Sequence, residues 1–140
     1  MSKLFHLTLS TPEAVLFDGE AQLLCVPTPN GDMGIMADHT PLVGLVAPGM
    51  MTIKTTSGDK ILAAGGGFLK ISKNVVKVFC QTAEFAESID EQRALESKQQ
   101  AEELMNQKVD EIGLADATAM LERNIARLKT VEHRKKRSHH

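Results

Sequence analysis

Between Leu4 and Cys80, apolar and polar residues alternate in short runs, each closed by turn residues. Leu4–Leu9 ends at Thr-Pro, Ala21–Val26 at Pro-Thr-Pro-Asn-Gly and Met50–Thr56 at Ser-Gly-Asp, while Val75–Cys80 is rich in β-branched and aromatic side chains. A period of two bounded by Gly, Pro, Asn and Ser is the pattern of half-buried strands. Many short strands at this spacing predict an antiparallel sandwich or barrel, and no helical stretch separates them as a βαβ fold requires.

Beyond Ser88 the period changes to that of a helix. Ser88-Ile89-Asp90-Glu91 fits a capping box, with Asp90 as the alternative cap two residues later. The pattern predicts a first helix from about Glu91 to about Lys108, a break at Asp110–Gly113 with Gly113 suited to a C-cap, and a second helix from about Asp116 into the basic tail. Ala117, Leu121, Leu128 and Val131 share one face of that helix. The expected architecture is a β-sandwich over residues 1–87 followed by an α-helical hairpin over 88–140, mainly β plus two helices.

Composition sharpens this division. All five Pro and all five Phe precede Ser88, as do nine of ten Gly, and strong helix formers follow it. Residues 88–116 set three basic groups against eight acidic ones; residues 117–140 set seven basic against two acidic. Opposite charge favours an antiparallel pairing of the helices, although exposed pairs contribute only ~0–1 kcal/mol each. With no aromatic residue to bury, the hairpin is expected to be weakly held and to want a partner.

Other features exclude functions. Net charge is −2 and no apolar run approaches the ~20 residues of a membrane span. The Met-Ser-Lys-Leu-Phe-His start has no signal pattern, so a cytosolic chain is expected. Cys25 and Cys80 are too few and too far apart for a zinc site and read as reduced thiols in strands. Gly65-Gly66-Gly67 lacks the Gly-Lys-Ser/Thr of a phosphate loop and reads as a turn. No nucleophile–base pair or metal-ligand cluster is visible, so no catalytic or metal residue is assigned. A nucleic-acid-binding module using the basic tail would need stacking aromatics, and none follows Phe85. A stand-alone nucleotide sensor is the other rival.

Three segments carry a family resemblance. Pro29-Asn-Gly31-Asp32-Met-Gly34-Ile35-Met-Ala-Asp38-His39-Thr-Pro41-Leu42 resembles a Gly-acidic-hydrophobic-Gly-Ile/Val…His-x-Pro-Leu segment, with Ala37-Asp38 replacing a common Pro-Gly. Gly66-Gly67-Phe68-Leu69-Lys70-Ile71 is similar to Gly-Gly-Phe-Leu-Glu-Val, with Lys70 at the acidic position. Ile89-Asp90-Glu91-Gln92-Arg93-Ala94 fits Ile/Leu-Asp-x-x-Arg-Ala. Together they resemble the epsilon subunit of bacterial and chloroplast F-type ATP synthases over essentially the whole chain.

The resemblance implies a non-catalytic central-stalk subunit. Its sandwich would bind the gamma subunit and the c-ring, and its hairpin would fold down or extend into the ring of alpha and beta subunits to inhibit ATP hydrolysis. The place implied is peripheral, on the cytoplasmic face of the bacterial inner membrane. Gly31, Asp32 and His39 would meet the c-ring, with Asp32 offering an anion to an Arg. Arg134, Lys135 and Lys136 would be drawn to an acidic surface of the beta subunit. No cofactor is required, but ATP is a possible regulatory ligand. Arg123 and Arg127 are one turn apart, and a folded hairpin would bring Arg93 near them, a grouping suited to an anion. On the resemblance, Glu84, Ile89, Asp90 and Ala94 would hold the base and ribose.

Overall fold

The structure, a computed structural model, describes residues 3–106 and 111–138. Eight strands precede the helices: β1 (Phe5–Ser10), β2 (Val15–Ala21), β3 (Leu23–Thr28), β4 (Gly31–Met36), β5 (Leu42–Thr55), β6 (Gly58–Ser72), β7 (Val75–Cys80) and β8 (Ala83–Phe85). They hydrogen-bond in the order β2-β1-β7-β6-β5-β3-β4, with β8 beside β6. All pairings are antiparallel except β1 with β7.

Two long strands make this one sheet into a two-layered sandwich. The second half of β6 (67–72) pairs with β7, and its first half (62–64) pairs with β8. β5 likewise pairs with β3 only through residues 52–54. Both strands bend between the pairs Val46↔Gly67 and Pro48↔Gly65, where Gly66 has a φ of 101°. Gly65–Gly67 is thus a bend inside one strand, not the turn expected from the sequence. A left-handed residue there lets β6 pass from one layer to the other without a Cβ clash.

The inward faces of both layers supply the core. Phe5, Leu7 and Leu9 alternate along β1 and Val76, Val78 and Cys80 along β7; Leu24, Val26, Ile35, Met51, Ile53 and Leu62 come from the other layer. Each of these side chains is essentially removed from water. That burial is the main stabilising term of the sandwich.

A 3-10 turn (Ala86–Ser88) leads to α1 (Glu91–Asn106), and α2 spans Glu111–Ser138. The cap of α1 is Asp90: its Oδ1 accepts the Arg93 amide at 3.1 Å, so the second of the two capping alternatives holds. The end expected at Lys108 and the first residue of the expected break, Asp110, lie outside the described residues. Gly113 is helical, within the first turn of α2, so α2 starts earlier than Asp116. α1 and α2 pack on each other, and α2 also packs on β5 and β6. Small residues mediate these contacts: Ala94, Ala101, Ala117 and Ala126 are buried, and Ala63, Ile89 and Val131 form a cluster between the layer and the helices. Asn124 and Thr130 are buried on α2 as well, each donating to a carbonyl one turn back, Met120 O and Ala126 O. Among the described residues no helix is long and apolar enough to cross a membrane.

Candidate functional site

β8, the start of α1 and the middle of α2 enclose a cavity of about 280 Å³, lined by Glu84, Ser88, Ile89, Asp90, Arg93, Ala94, Ser97 and Arg127. Asp90 spends one carboxylate oxygen on the helix cap and so stands at the cavity rim, where the first amides of α1 are exposed. Arg93 and Ala94 follow on the first turn, and Ser97 lies one turn further along the same face as Arg93. Arg127 reaches across from α2. Its Nε donates to Glu84 and its Nη1 to Asn124 Oδ1 at 3.1 Å.

Six of the seven residues named for a nucleotide therefore meet at one cavity, although they come from three elements. Arg123 is not among the lining residues. Ser88, expected only as a helix cap, and Ser97, not singled out, also line the cavity; the i, i+4 relation of Arg93 to Ser97 is the signal that could have found Ser97. The fixed groups available to a ligand are one guanidinium without an ion pair among the described residues, Arg93, a second shared with Glu84, and two hydroxyls. This set suits an anionic group with additional hydrogen-bond acceptors.

The basic tail is engaged within the chain. Arg134 donates from Nη1 to the Ala86 carbonyl, and Lys135 Nζ lies 2.7 Å from Glu91 Oε2 at the start of α1. The first contact holds α2 against the 3-10 turn, the second against the start of α1. The Lys136 side chain lies outside the described residues.

Gly31 and Asp32 stand at one end of β4 and His39 beyond the other. Gly31 and Asp32 begin β4, where Thr28 Oγ1 donates to Gly31 O at 2.5 Å. His39 lies beyond the other end of that strand, and six residues of strand span roughly 17 Å. Asp32 lines a cleft of about 410 Å³ with Pro48, Met50 and the α2 residues Lys129, Glu132 and His133. His39 instead follows Asp38, whose amide donates to Asn74 Oδ1 at 2.8 Å and whose carboxylate accepts from Lys3 at 3.0 Å. Asp38 has a φ of 62°, the left-handed conformation that Asp tolerates and that keeps this loop closed.

Residues 4–86 match the beta-sandwich domain of the ATP synthase Delta/Epsilon chain, and residues 87–132 match its long alpha-helix domain. The chain belongs to the ATP synthase Delta/Epsilon family. Epsilon chains align with it from end to end. That of Chromobacterium violaceum is 35% identical over 99% of this chain and 100% of its own length. That of Syntrophomonas wolfei is 37% identical over 91% of this chain and 94% of its own, and that of Bacillus velezensis 32% over 90% and 96%. Among solved structures, a chain of the Euglena gracilis mitochondrial ATP synthase superposes with a TM-score of 0.80 at 23% identity, covering 95% of this chain and 83% of that one. A chain of the Tetrahymena thermophila central stalk and c-ring gives 0.62 at 18%, covering 90% and 95%. These two show the fold alone. Family membership makes this an epsilon-type, non-catalytic subunit of the synthase.

Proposed function

We propose that this epsilon-type chain joins the gamma subunit to the c-ring through its sandwich, residues 1–87. Its hairpin, residues 88–140, restrains ATP hydrolysis by the alpha and beta subunits, with ATP as the ligand that favours the folded-down hairpin. The observation that carries this reading is the cavity whose wall is split among β8, α1 and α2. Only a hairpin closed on the sandwich brings Arg93, Arg127 and Glu84 together, so a ligand there has differential affinity for the closed state and shifts the equilibrium toward it. At ATP ~100 times its dissociation constant the shift reaches ~2.7 kcal/mol. The phosphates would lie at Arg93 and Arg127, with Ile89, Asp90 and Ala94 toward the base and ribose. Arg123, on the next turn of α2, would meet phosphate outside the cavity.

The light hold on the hairpin supports the same reading. Buried methyl groups contribute about 0.8 kcal/mol each, far less than a Leu or Phe, so a hairpin docked mainly through Ala is releasable. On release, Arg134 and Lys135 exchange Ala86 and Glu91 for an acidic surface of the beta subunit. At the other end of the molecule, Gly31 and Asp32 offer the c-ring an exposed turn with an anion, and His39, beyond the far end of β4, is the third c-ring contact. In bacterial relatives' setting the place is the cytoplasmic face of the inner membrane, held there by the complex.

The test is calorimetry of ATP against the full chain and against Arg93→Ala and Arg127→Ala. Each substitution is expected to weaken binding at least tenfold. Equal affinity in all three would remove this cavity as the nucleotide site. In parallel, synthase reassembled with the chain ending at Glu87 should hydrolyse ATP faster while still pumping protons, and Asp32→Lys in the full chain should lower pumping alone.

A further inference from the structure

Among the described residues, three that are not glycine have a left-handed backbone: Asp38, Lys73 and Asn74, at φ 62°, 52° and 62°. All three meet at one end of the sandwich. Lys73 and Asn74 are the two residues between β6 and β7, where a tight hairpin of type I′ requires that conformation. Asp38 has no such reason. It lies in the connection 37–41 between β4 and β5, and a residue in a sparsely populated conformation persists where its surroundings hold it there.

Asn74 does the holding. Its Oδ1 accepts from the Asp38 amide at 2.8 Å, and its Nδ2 donates to the Leu4 carbonyl at 2.9 Å. Its own carbonyl accepts from the His6 amide at 3.2 Å. One residue thus joins the 37–41 connection to the start of the chain and to the β6–β7 turn, bridging separations of 36 and 70 residues. Lys3 adds a second tie, Nζ to Asp38 Oδ2 at 3.0 Å, but both side chains are exposed and water weakens that pair. The bond from Asn74 to Leu4 is shielded in part.

His39 follows Asp38 directly, and its ring is tied to the same connection. Its Nδ1 lies 2.8 Å from the Thr40 carbonyl; a carbonyl oxygen only accepts, so Nδ1 donates. The direction of the half-buried ring is therefore set by the backbone of 37–41, and that backbone is set by Asn74.

We propose that Asn74 is the positioning residue of the His39 contact, fixing 37–41 in the conformation in which His39 meets the c-ring. The inference rests on the reading of His39 as a c-ring contact and adds what prepares that contact. A loop ordered beforehand avoids the entropy cost of ordering it on binding. Loosening it should weaken attachment although His39 itself is untouched.

Asn74→Gly tests this, because Gly keeps the left-handed turn and removes only the side chain. In the full chain, exchange of the Asp38 amide is expected to rise about five- to tenfold, the range of one net hydrogen bond, with melting as in the wild type. Lys73→Gly relieves the same turn without removing a bond to the loop and should leave that exchange unchanged. Synthase depleted of this subunit is then titrated with the full chain and read by proton pumping. Half-maximal restoration should need about five- to tenfold more Asn74→Gly than wild type and at least as much more His39→Ala. The double variant should be no worse than His39→Ala alone, since Asn74 acts through His39. Unchanged Asp38 exchange in Asn74→Gly overturns the hold on the loop, and additive losses in the double variant overturn action through His39. If Asn74→Gly restores pumping like the wild type while His39→Ala does not, the c-ring reading stands and the positioning role is overturned. Wild-type restoration by His39→Ala overturns the c-ring reading of His39, and the positioning role with it.

Discussion

Arg127 on α2 donates to the Glu84 carboxylate on β8, 43 residues earlier in the chain, and so ties the hairpin to the sandwich at the wall of the 280 Å³ cavity. Both side chains are mostly shielded, at 25% and 31% exposure, so water screens the pair less than it does the tail contact of Lys135 with Glu91. It is a polar latch between the two parts of the molecule.

Removing that latch should loosen α2 without unfolding the sandwich. Hydrogen bonds to charged groups contribute about 1.5–3 kcal/mol. Glu84→Gln is therefore expected to speed amide hydrogen exchange across 120–135 by roughly one to two decades, while exchange in β1 and β7 stays as in the wild type. Unchanged exchange in α2 would show that apolar packing alone holds the hairpin.

The sandwich should fold without the helices. Every buried member of its main core lies between Phe5 and Cys80, and the partly buried side chains packed on it end at Phe85. A chain ending at Glu87 is expected to melt cooperatively, at a temperature lowered by the exposure of Ile61 and Ala63. A non-cooperative melt followed by circular dichroism would make the hairpin part of the fold proper.

Two glycines make a matched pair. A Cβ at Gly67 would stand 1.8 Å from the Phe79 carbonyl oxygen, so Gly67→Ala forces β6 and β7 apart. Overpacking of this kind costs about 1–3 kcal/mol. Gly44, at an ordinary φ with no atom within 4 Å of its built Cβ, should accept Ala with stability unchanged or raised slightly. Urea denaturation of the two variants checks the contrast; equal midpoints would contradict it.

His6 faces two carboxylates across β1 and β2. Its Nδ1 lies 3.3 Å from Glu20 and its Nε2 2.7 Å from Asp18, and hydrogen bonding to Glu20 and then to Asp18 raises its pKa above 6.5. The charged form is favoured by folding, so its contribution to stability is complete below the unfolded value of 6.5 and is lost as pH rises through the higher folded value. His6→Gln should therefore be less stable than the wild type near pH 6 and equal to it near pH 9. A difference that persists unchanged at pH 9 would assign the effect to packing instead.

Cys80 should be inert while the chain is folded. Burial raises its pKa to about 11, leaving roughly one thiol in a thousand ionised at pH 8. Iodoacetamide at pH 8 is expected to leave Cys80 unmodified in the folded protein and to alkylate it fully in urea, as read by mass spectrometry of its peptide.

Local chemistry made much of this protein legible in advance. Alternation along Phe5–Leu9 and Val75–Cys80 marks strands because successive side chains point to opposite faces, and Asp90 before Glu91 marks a helix start because free amides need an acceptor. Helical spacing put Arg93 near Arg127 in a folded hairpin, and the family resemblance added Glu84; Arg123, grouped with them by the same spacing, does not line the cavity. What the sequence could not decide depends on contacts between distant segments. Period-two patterning says which residues of β6 point outward, yet Ala63 is buried and Phe68 exposed, because only the packed molecule determines which outer face α2 covers. Asp32 and His39 are near in sequence and look like one loop, but a six-residue strand extends rather than folds back, so pairing with β3 puts them at opposite ends. Gly113, a helix terminator by propensity, lies inside α2, where packing of the following turns outweighs the roughly 1 kcal/mol it costs. Propensity and periodicity are properties of neighbours along the chain; layer, face and end are set by which surfaces bury each other.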